Sequence, residues 1–567
     1  MTSTNPSSRR PLTGNAQLTL SDFPNEVLIQ IFSLLESETD AFIDTTPPSR
    51  SAKFMLAMVC RQWKDLIWNT PQLWSTLSLN AARRNHRMRS LDQVGPMLSQ
   101  HLACGQESPL DVTFSEIEME TDRETLGTIA CPILGPSFAR WTSVHLHSMD
   151  FGWLLKSSLL PGDLPALRTL VITDNGLSIS HTFEEHTERV KNWQVPNLNR
   201  LILNGLLSIK INLPPWTPFL SQLSHLHVTG PIVVPLLMEY LNNTPQLECL
   251  IVEEVSGKRW GVSWADEEGI GDMDSIWPRV HLEKLTRIRI GSEFLLPQYN
   301  GGSGPIQCPS LVDLEADLTI NLWNHRSNQI FVALTTSSLI GKWIQNSGCN
   351  PQRLQRLVVA NLIPHKENTD SLVDVLSTLT TLQTLELTLG FPSPNETALG
   401  IGLVSLLRAM SRNSDKAGGL HGGTGSDESG VQVDAATPCL LPNLATFKIG
   451  TAAKFASSSA SLEPYIPDLI SMCKSRLPTD EPPRTPGPDA VGGAEVFLSS
   501  VCIQDQRAAS EENLAFLEGL RRLSRLKGHS EFRIWIEGKP PCAVDDDLGC
   551  DDFPSWFRPF TMSGINS

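Results

Sequence analysis

The side chains of this chain that could do chemistry do not assemble into a reaction centre by spacing. His145-Leu146-His147 and His225-Leu226-His227 each set two imidazoles on one face of an extended segment, which a metal could use. Neither has a third donor nearby in sequence, and surface histidines flanking core leucines account for both. His181 and His186 bracket Glu184 and Glu185 in a polar stretch. Cys542 and Cys550 flank Asp545, Asp546 and Asp547, a run that reads as an acidic solvated tail. His421-Gly422-Gly423-Thr424-Gly425 resembles an oxyanion loop but lies in low-complexity sequence with no nucleophile elbow after it. The P-loop, G-x-S-x-G and H-E-x-x-H patterns are missing. The expectation is a protein that is not an enzyme, with no catalytic residue, no metal and no cofactor.

Composition narrows the partners. The net charge of −16 gives no general attraction to phosphate. The basic cluster Arg83, Arg84, His86, Arg87 and Arg89 reads as a solvated helix face. The eleven cysteines are scattered, odd in number and without a C-x-x-C pair, as expected of reduced intracellular thiols. The N-terminus lacks an apolar signal core, and no apolar run approaches the length of a membrane span. Neither nucleic acid nor membrane is expected as a partner, and the chain is expected in the cytoplasm, the nucleus or both.

The elements that must position a site are two. In the first, Val27, Leu28, Ile31, Phe32, Leu34 and Leu35 recur at helical spacing behind Pro24 and Glu26, which suit a helix start. The stripe is too wide for one buried seam in so small a domain, so part of it is left for a partner. Residues 36–50 read as a loop. Phe54, Met55, Met58, Val59, Trp63, Leu66 and Ile67 then predict a second helix, which stops at Asn69-Thr70-Pro71. Leu73, Trp74 and Leu77 follow as apolar anchors.

Phe23-Pro24-Asn25-Glu26-Val27-Leu28, Ile31-Phe32, Val59-Cys60-Arg61-Gln62-Trp63 and Pro71-Gln72-Leu73-Trp74 together resemble the F-box, the helical module that joins substrate receptors to Skp–cullin–F-box ubiquitin ligases. Phe23 stands where the family usually has Leu, and the insert after Leu35 is longer than in a minimal F-box. That form is similar to the F-box proteins of mushroom-forming fungi. The resemblance implies that Phe23, Pro24, Leu28, Ile31, Leu35, Val59, Cys60 and Trp63 face a Skp adaptor, and through it a cullin ligase.

The second element is the long remainder. An apolar residue, two variable, an apolar residue, one variable and an apolar residue recur as Trp141/Val144/Leu146, Leu167/Leu170/Ile172, Leu198/Leu201/Leu203, Leu223/Leu226/Val228, Leu247/Leu250/Val252, Leu285/Ile288/Ile290, Leu311/Leu314/Ala316, Leu354/Leu357/Val359, Leu382/Leu385/Leu387, Leu444/Phe447/Ile449 and Leu498/Val501/Ile503. The fourth and sixth positions share one face of a strand, because strand side chains alternate, and the first turns the chain into it. Stacked side by side, such units make a parallel sheet over one apolar core. The pattern is that of leucine-rich repeats, with the shorter spacings inside their range of roughly 20–29 residues and the longer ones requiring insertions. Prolines such as Pro165, Pro196, Pro245, Pro309 and Pro442 precede the first position and predict extended backbone there. Helix-like stretches between strands fit right-handed crossovers.

The expected class is α/β: a disordered N-terminus over 1–17, a small all-α F-box over 18–80, a connecting helix or linker over 81–104, an irregular leucine-rich-repeat solenoid over 105–540 and an acidic flexible tail over 541–567. Residues 412–437 (Gly/Ser-rich) and 478–492 (Pro-rich) read as flexible insertions. Trp260, Trp264 and Trp277, in an acidic insertion, are candidate contacts for a target protein. The expected role is a substrate-recognition subunit of a Skp–cullin–F-box type ubiquitin ligase. The alternative is a ligase-independent repeat scaffold whose N-terminal helices act only as a cap.

Overall fold

The computed structural model describes residues 23–38, 42–43, 52–80, 94–115, 130, 132–147, 163–174, 194–205, 217–230, 232–253, 255–256, 279–291, 306–318, 336–362, 366–390, 399–411, 440–451, 462–477, 498–504, 511–526 and 533–536. The chain divides into two compact units, the first over 1–175 and 181–198 and the second over 176–180 and 199–567. Trp260, Trp264 and Trp277 lie outside the described residues, as do the insertions 412–437 and 478–492, the segment 1–17 and the tail 541–567.

In the first unit, helices α1 (Asn25–Glu38), α2 (Ala52–Ala57) and α3 (Arg61–Trp68) precede a 3-10 turn at Pro71–Trp74. Parallel strands β1 (Phe42–Ile43), β2 (Thr76–Asn80), β3 (Leu110–Ser115), β4 (Trp141–His147) and β5 (Thr169–Asp174) pair in that order, and helix α4 (Val94–Gly105) packs on the 3-10 turn. Two expectations are corrected. The single helix read from Ser51 to the stop at Asn69-Thr70-Pro71 is broken in two, because Cys60 adopts an extended backbone (φ −156°, ψ 168°) and its Sγ accepts from the Trp63 N–H at 3.5 Å, capping α3. The head is not all-α either. Phe42–Ile43, inside the expected loop, pairs with β2, and Leu77 and Leu79 already belong to the sheet.

The sheet therefore starts earlier than the repeat pattern suggested. Leu77 is in register with Val112 and Leu79 with Phe114. Trp74, Leu77 and Leu79 carry the same one-four-six spacing as the later units, with all three side chains buried. The first repeat is thus built from the last residues of the head.

The second unit is α/β, with parallel strands and intervening helices. Its strands are β6 (Arg200–Gly205), β7 (His225–Val228), β8 (Ile232–Val233), β9 (Cys249–Val252), β10 (Val255–Ser256), β11 (Val280–His281), β12 (Arg287–Gly291), β13 (Ile306–Gln307), β14 (Asp313–Asp317), β15 (Arg356–Leu362), β16 (Thr384–Leu389), β17 (Thr446–Thr451), β18 (Ser500–Gln504) and β19 (Arg533–Ile536). β8 pairs with β10 and β11 with β13; the other strands form one parallel sheet in sequence order. Helices Thr336–Asn346, Lys366–Thr378, Leu399–Met410 and Ile466–Arg476 cross between successive strands and pack in a row, each on the next.

The repeat has a turn at its entrance. The N–H of the first-position leucine bonds the carbonyl three residues earlier: Leu167 to Leu164, Leu198 to Val195, Leu247 to Thr244, Leu311 to Cys308, Leu382 to Leu379 and Leu444 to Leu441, at 3.1–3.2 Å. Pro165, Pro196, Pro245, Pro309 and Pro442 occupy the second place of these turns. A proline suits that place because its fixed φ matches it. The prolines therefore shape a tight turn, and the extended lead-in expected of them precedes it at Asp163, Gln194 and Ile306–Gln307, whereas Leu441, with φ 56°, departs from it. The residue before the proline is buried as well, as Leu164, Val195, Thr244, Cys308 and Leu441 show.

Two contacts hold neighbouring repeats at close range. The Gly390 N–H bonds the Leu362 carbonyl at 2.9 Å, and a Cβ on Gly390 would stand 2.9 Å from the Asn361 carbonyl oxygen. Asn361 itself has φ 59° and donates through Nδ2 to Asp317 Oδ1 at 2.7 Å. Arg476 is buried and donates to the carbonyls of Met410 and Leu441, each at 2.8 Å, and to that of Leu440. One guanidinium thus fastens the end of a helix to the start of the following repeat.

Candidate functional site

The head is held together by a small aromatic core. Leu28 and Phe32 of α1 meet Trp63 and Ile67 of α3 and Leu73 and Trp74 of the 3-10 turn. Phe32 and Trp63 meet edge to face at 5.0 Å, and Trp68 stacks on Trp74 at 4.9 Å. The Trp74 indole N–H donates to the Ile67 carbonyl at 2.8 Å, so burial leaves that donor satisfied. The helix before the 3-10 turn ends where Asn69 Nδ2 and Thr70 Oγ1 take the carbonyls of Asp65 and Leu66, at 2.7 and 2.6 Å.

Beneath this core, Lys53 of α2 and His101 of α4 are both buried. The Lys53 ammonium lies 5.0 Å from the centre of the Trp74 ring, and His101 meets the same ring edge on at 5.3 Å. Burial pushes the Lys53 pKa down to about 7, against a small opposing pull from Cys104. Burial, then the nearby Lys53 charge, lowers His101 to about 3.

Outside the core, the head leaves large apolar side chains in water. Phe23 is 39%, Leu34 69%, Met55 54%, Met58 70% and Val59 62% exposed. Among the described residues only Phe516 is another large hydrophobic side chain so exposed. Three of the head's five lie on one helical face. The turn of α2 runs on beyond Ala57, since the Met58 N–H bonds the carbonyls of Phe54 and Met55 (3.2 and 3.1 Å) and the Val59 N–H bonds that of Leu56 (3.1 Å). Met55, Met58 and Val59 therefore stand at i, i+3 and i+4 and project together. Phe54, next to Met55, turns inward onto Trp68 and Trp74.

The residues expected to face a partner divide. Phe23, Pro24, Val59 and Cys60 are exposed, and the Pro24 carbonyl receives the first N–H groups of α1, from Val27 and Leu28. Ile31 is half-buried against the core, and Leu35 falls within α1. Leu28 and Trp63 are corrected: both are buried core residues with no surface to offer, and they act by fixing the shape of the helices. Met55 and Met58 went unread as surface residues. Their helical spacing looked like core, and what separates them from Phe54 is the packing of Phe54 on Trp68 and Trp74.

The second unit offers a polar sheet face opposite its leucine core. Arg287 lies 3.4 Å and Arg289 3.1 Å from Asp313 and Glu315 on the next strand. Arg356 joins Asp313 at 2.8 Å to Glu386 at 3.1 Å, and Lys448 reaches Glu386 at 3.2 Å. Burial raises the pKa of Glu315, with Arg289 and Arg356 pulling the other way. Burial also disfavours the Arg356 charge, but Glu386 and Asp313 outweigh it and hold the guanidinium above its ordinary pKa. The ladder compensates its own charges across the strands. In the first unit His145 Nε2 shares a hydrogen bond with Thr173 Oγ1 at 2.8 Å; in the second His225 Nδ1 shares one with Ser224 Oγ at 2.8 Å, and His227 lies 3.5 Å from Glu253. Among the described residues no group of three or more His, Cys, Asp or Glu side chains is placed to hold a metal, and no helix is long and apolar enough to cross a membrane.

Residues 20–80 match the F-box-like family. The match covers the three helices, the 3-10 turn and β2, so the chain carries an F-box-like head. No curated protein matches the chain. Among solved structures, the crystal structure of the Rad7 and Elc1 complex in yeast is similar at 10% identity, over 67% of this chain and 97% of that one. Its TM-score of 0.20 carries no argument about function or fold.

Proposed function

We propose that this chain is the substrate-recognition subunit of a Skp–cullin–F-box type ubiquitin ligase, working in the cytoplasm or nucleus. The F-box-like head docks on a Skp adaptor. The turn–strand units, read as degenerate leucine-rich repeats of the kind found in fungal F-box proteins, hold a target protein. The chain does no bond chemistry; it brings a target near a ubiquitin-transfer machinery supplied by other subunits, raising effective concentration.

The observation that carries this reading is the exposed face Met55, Met58 and Val59 on a domain matched to the F-box-like family. Apolar side chains clustered in water on a small, otherwise well-packed helical head mark a surface that a partner covers. The test is co-expression of the full chain with a Skp adaptor, followed by size-exclusion chromatography, beside a Val59→Asp variant. Val59 is outside the core, so the variant should keep its circular dichroism spectrum and melting temperature while co-elution is lost. A folded wild-type chain that elutes without the adaptor overturns the reading and leaves the head as a cap on a repeat scaffold.

A further inference from the structure

Two of the exposed apolar side chains in the head differ from the others in one chemical respect. Met55 and Met58 carry thioethers, and a thioether is the apolar group that mild oxidants convert into a polar one. The other described methionines are less accessible: Met97 is half-buried, and Met238, Met410 and Met472 are buried. Met55 and Met58 are one helical turn apart, on the same face as Val59. A change at either sulfur therefore alters the middle of the surface on which the proposed docking depends.

We propose that Met55 and Met58 form an oxidation site that switches off docking by the head, with hydrogen peroxide or a related two-electron oxidant as co-substrate. The inference rests on the docking reading above. The thioether lone pair attacks one peroxide oxygen; the S–O bond forms as the O–O bond breaks. The sulfur loses two electrons, the peroxide is reduced, and with the transferred proton the leaving hydroxide departs as water. The sulfoxide is polar and must be desolvated when a partner covers it, which removes the gain from burying an apolar side chain. The core is spared, because Phe54, Trp63 and Trp74, which hold the helices, carry no thioether. Reduction by methionine sulfoxide reductase restores the surface, so the change is reversible.

The experiment uses the full chain and a Skp adaptor. The dissociation constant is measured before and after graded hydrogen peroxide, with peptide mass spectrometry locating each oxygen added. Cys60 lies in the same exposed segment, so every oxidised sample is then treated with dithiothreitol, which reverses disulfides and sulfenic acid but not a sulfoxide. Affinity should fall about tenfold or more in step with oxygen at Met55 and Met58. The loss should survive dithiothreitol, recover with methionine sulfoxide reductases, and be absent from a Met55→Leu/Met58→Leu chain when its oxidised sample is compared with its own unoxidised affinity, whatever that affinity is. Unchanged affinity with both sulfurs oxidised, or an equal loss in the double leucine variant, overturns the inference alone. Absence of adaptor binding before any oxidant is added overturns the docking reading and this inference with it.

Discussion

Single residues in the head do two kinds of work, and mutation separates them. Trp63 closes the core against Phe32, so Trp63→Ala should cost roughly 3–5 kcal/mol, read as a lower urea midpoint for the full chain. Val59→Asp should leave that midpoint nearly unchanged. Lys53 and His101 add a pH dependence. Their folded pKa values, about 7 and about 3, lie below the ordinary 10.5 and 6.5, so the unfolded chain binds more protons between each pair of values. Stability should rise with pH from about 7 towards 10.5 through Lys53 and from about 3 to 6.5 through His101, and acidification should remove both contributions. Urea midpoints on either side of neutrality check the sign, and Lys53→Met should flatten the alkaline part. A midpoint that falls as pH rises through that upper range would sink the account. Sequence made the core of the head readable in part: Leu28 and Phe32 stand four apart on α1, as do Trp63 and Ile67 on α3, but the resemblance turned Leu28 and Trp63 towards a partner. Sequence did not separate Met55 from Phe54, since the contacts of Phe54 with Trp68 and Trp74 distinguish them and the apolar pattern does not report those contacts.

At the scale of elements, the one-four-six spacing was legible because it repeats and because burial on a sheet face demands alternation. What lay beneath it was not. The turn at the entrance of strands such as β5, β9 and β14 depends on a backbone bond between the first leucine and the residue three before it, and nothing in the apolar pattern reports it. Gly390 and Arg476 were equally silent in sequence. Gly390→Ala places a methyl group 2.9 Å from a carbonyl oxygen whose chain cannot swing aside, and should cost about 1–3 kcal/mol, seen as a lower melting temperature. Arg476→Met leaves the carbonyls of Met410, Leu440 and Leu441 without that donor and should cost about 3 kcal/mol or more by the same measurement. A melting temperature unchanged in either variant would show that the neighbouring repeat does not depend on that contact.

At the scale of the whole molecule, domain boundaries were the least legible feature. A resemblance that ends near residue 80 suggests a module that ends there, yet the first compact unit runs on through β5 and includes residues 181–198. The reason is Trp74, which belongs to the aromatic core of the head and opens the first turn–strand unit. A fragment ending at residue 80 keeps β2 but loses β3, and exposes Leu77 and Leu79 along an unpaired edge. A fragment ending at residue 115 keeps both strands and α4. The longer fragment should melt cooperatively and the shorter one should melt lower or aggregate, as differential scanning calorimetry would show. Trp74 thereby limits how this head can be shuffled among proteins. A recombination that cut at the edge of the family match would part Trp74 from His101 and β2 from β3, whereas one that carried the first compact unit along would keep both contacts. The unit that packs is longer than the unit of resemblance.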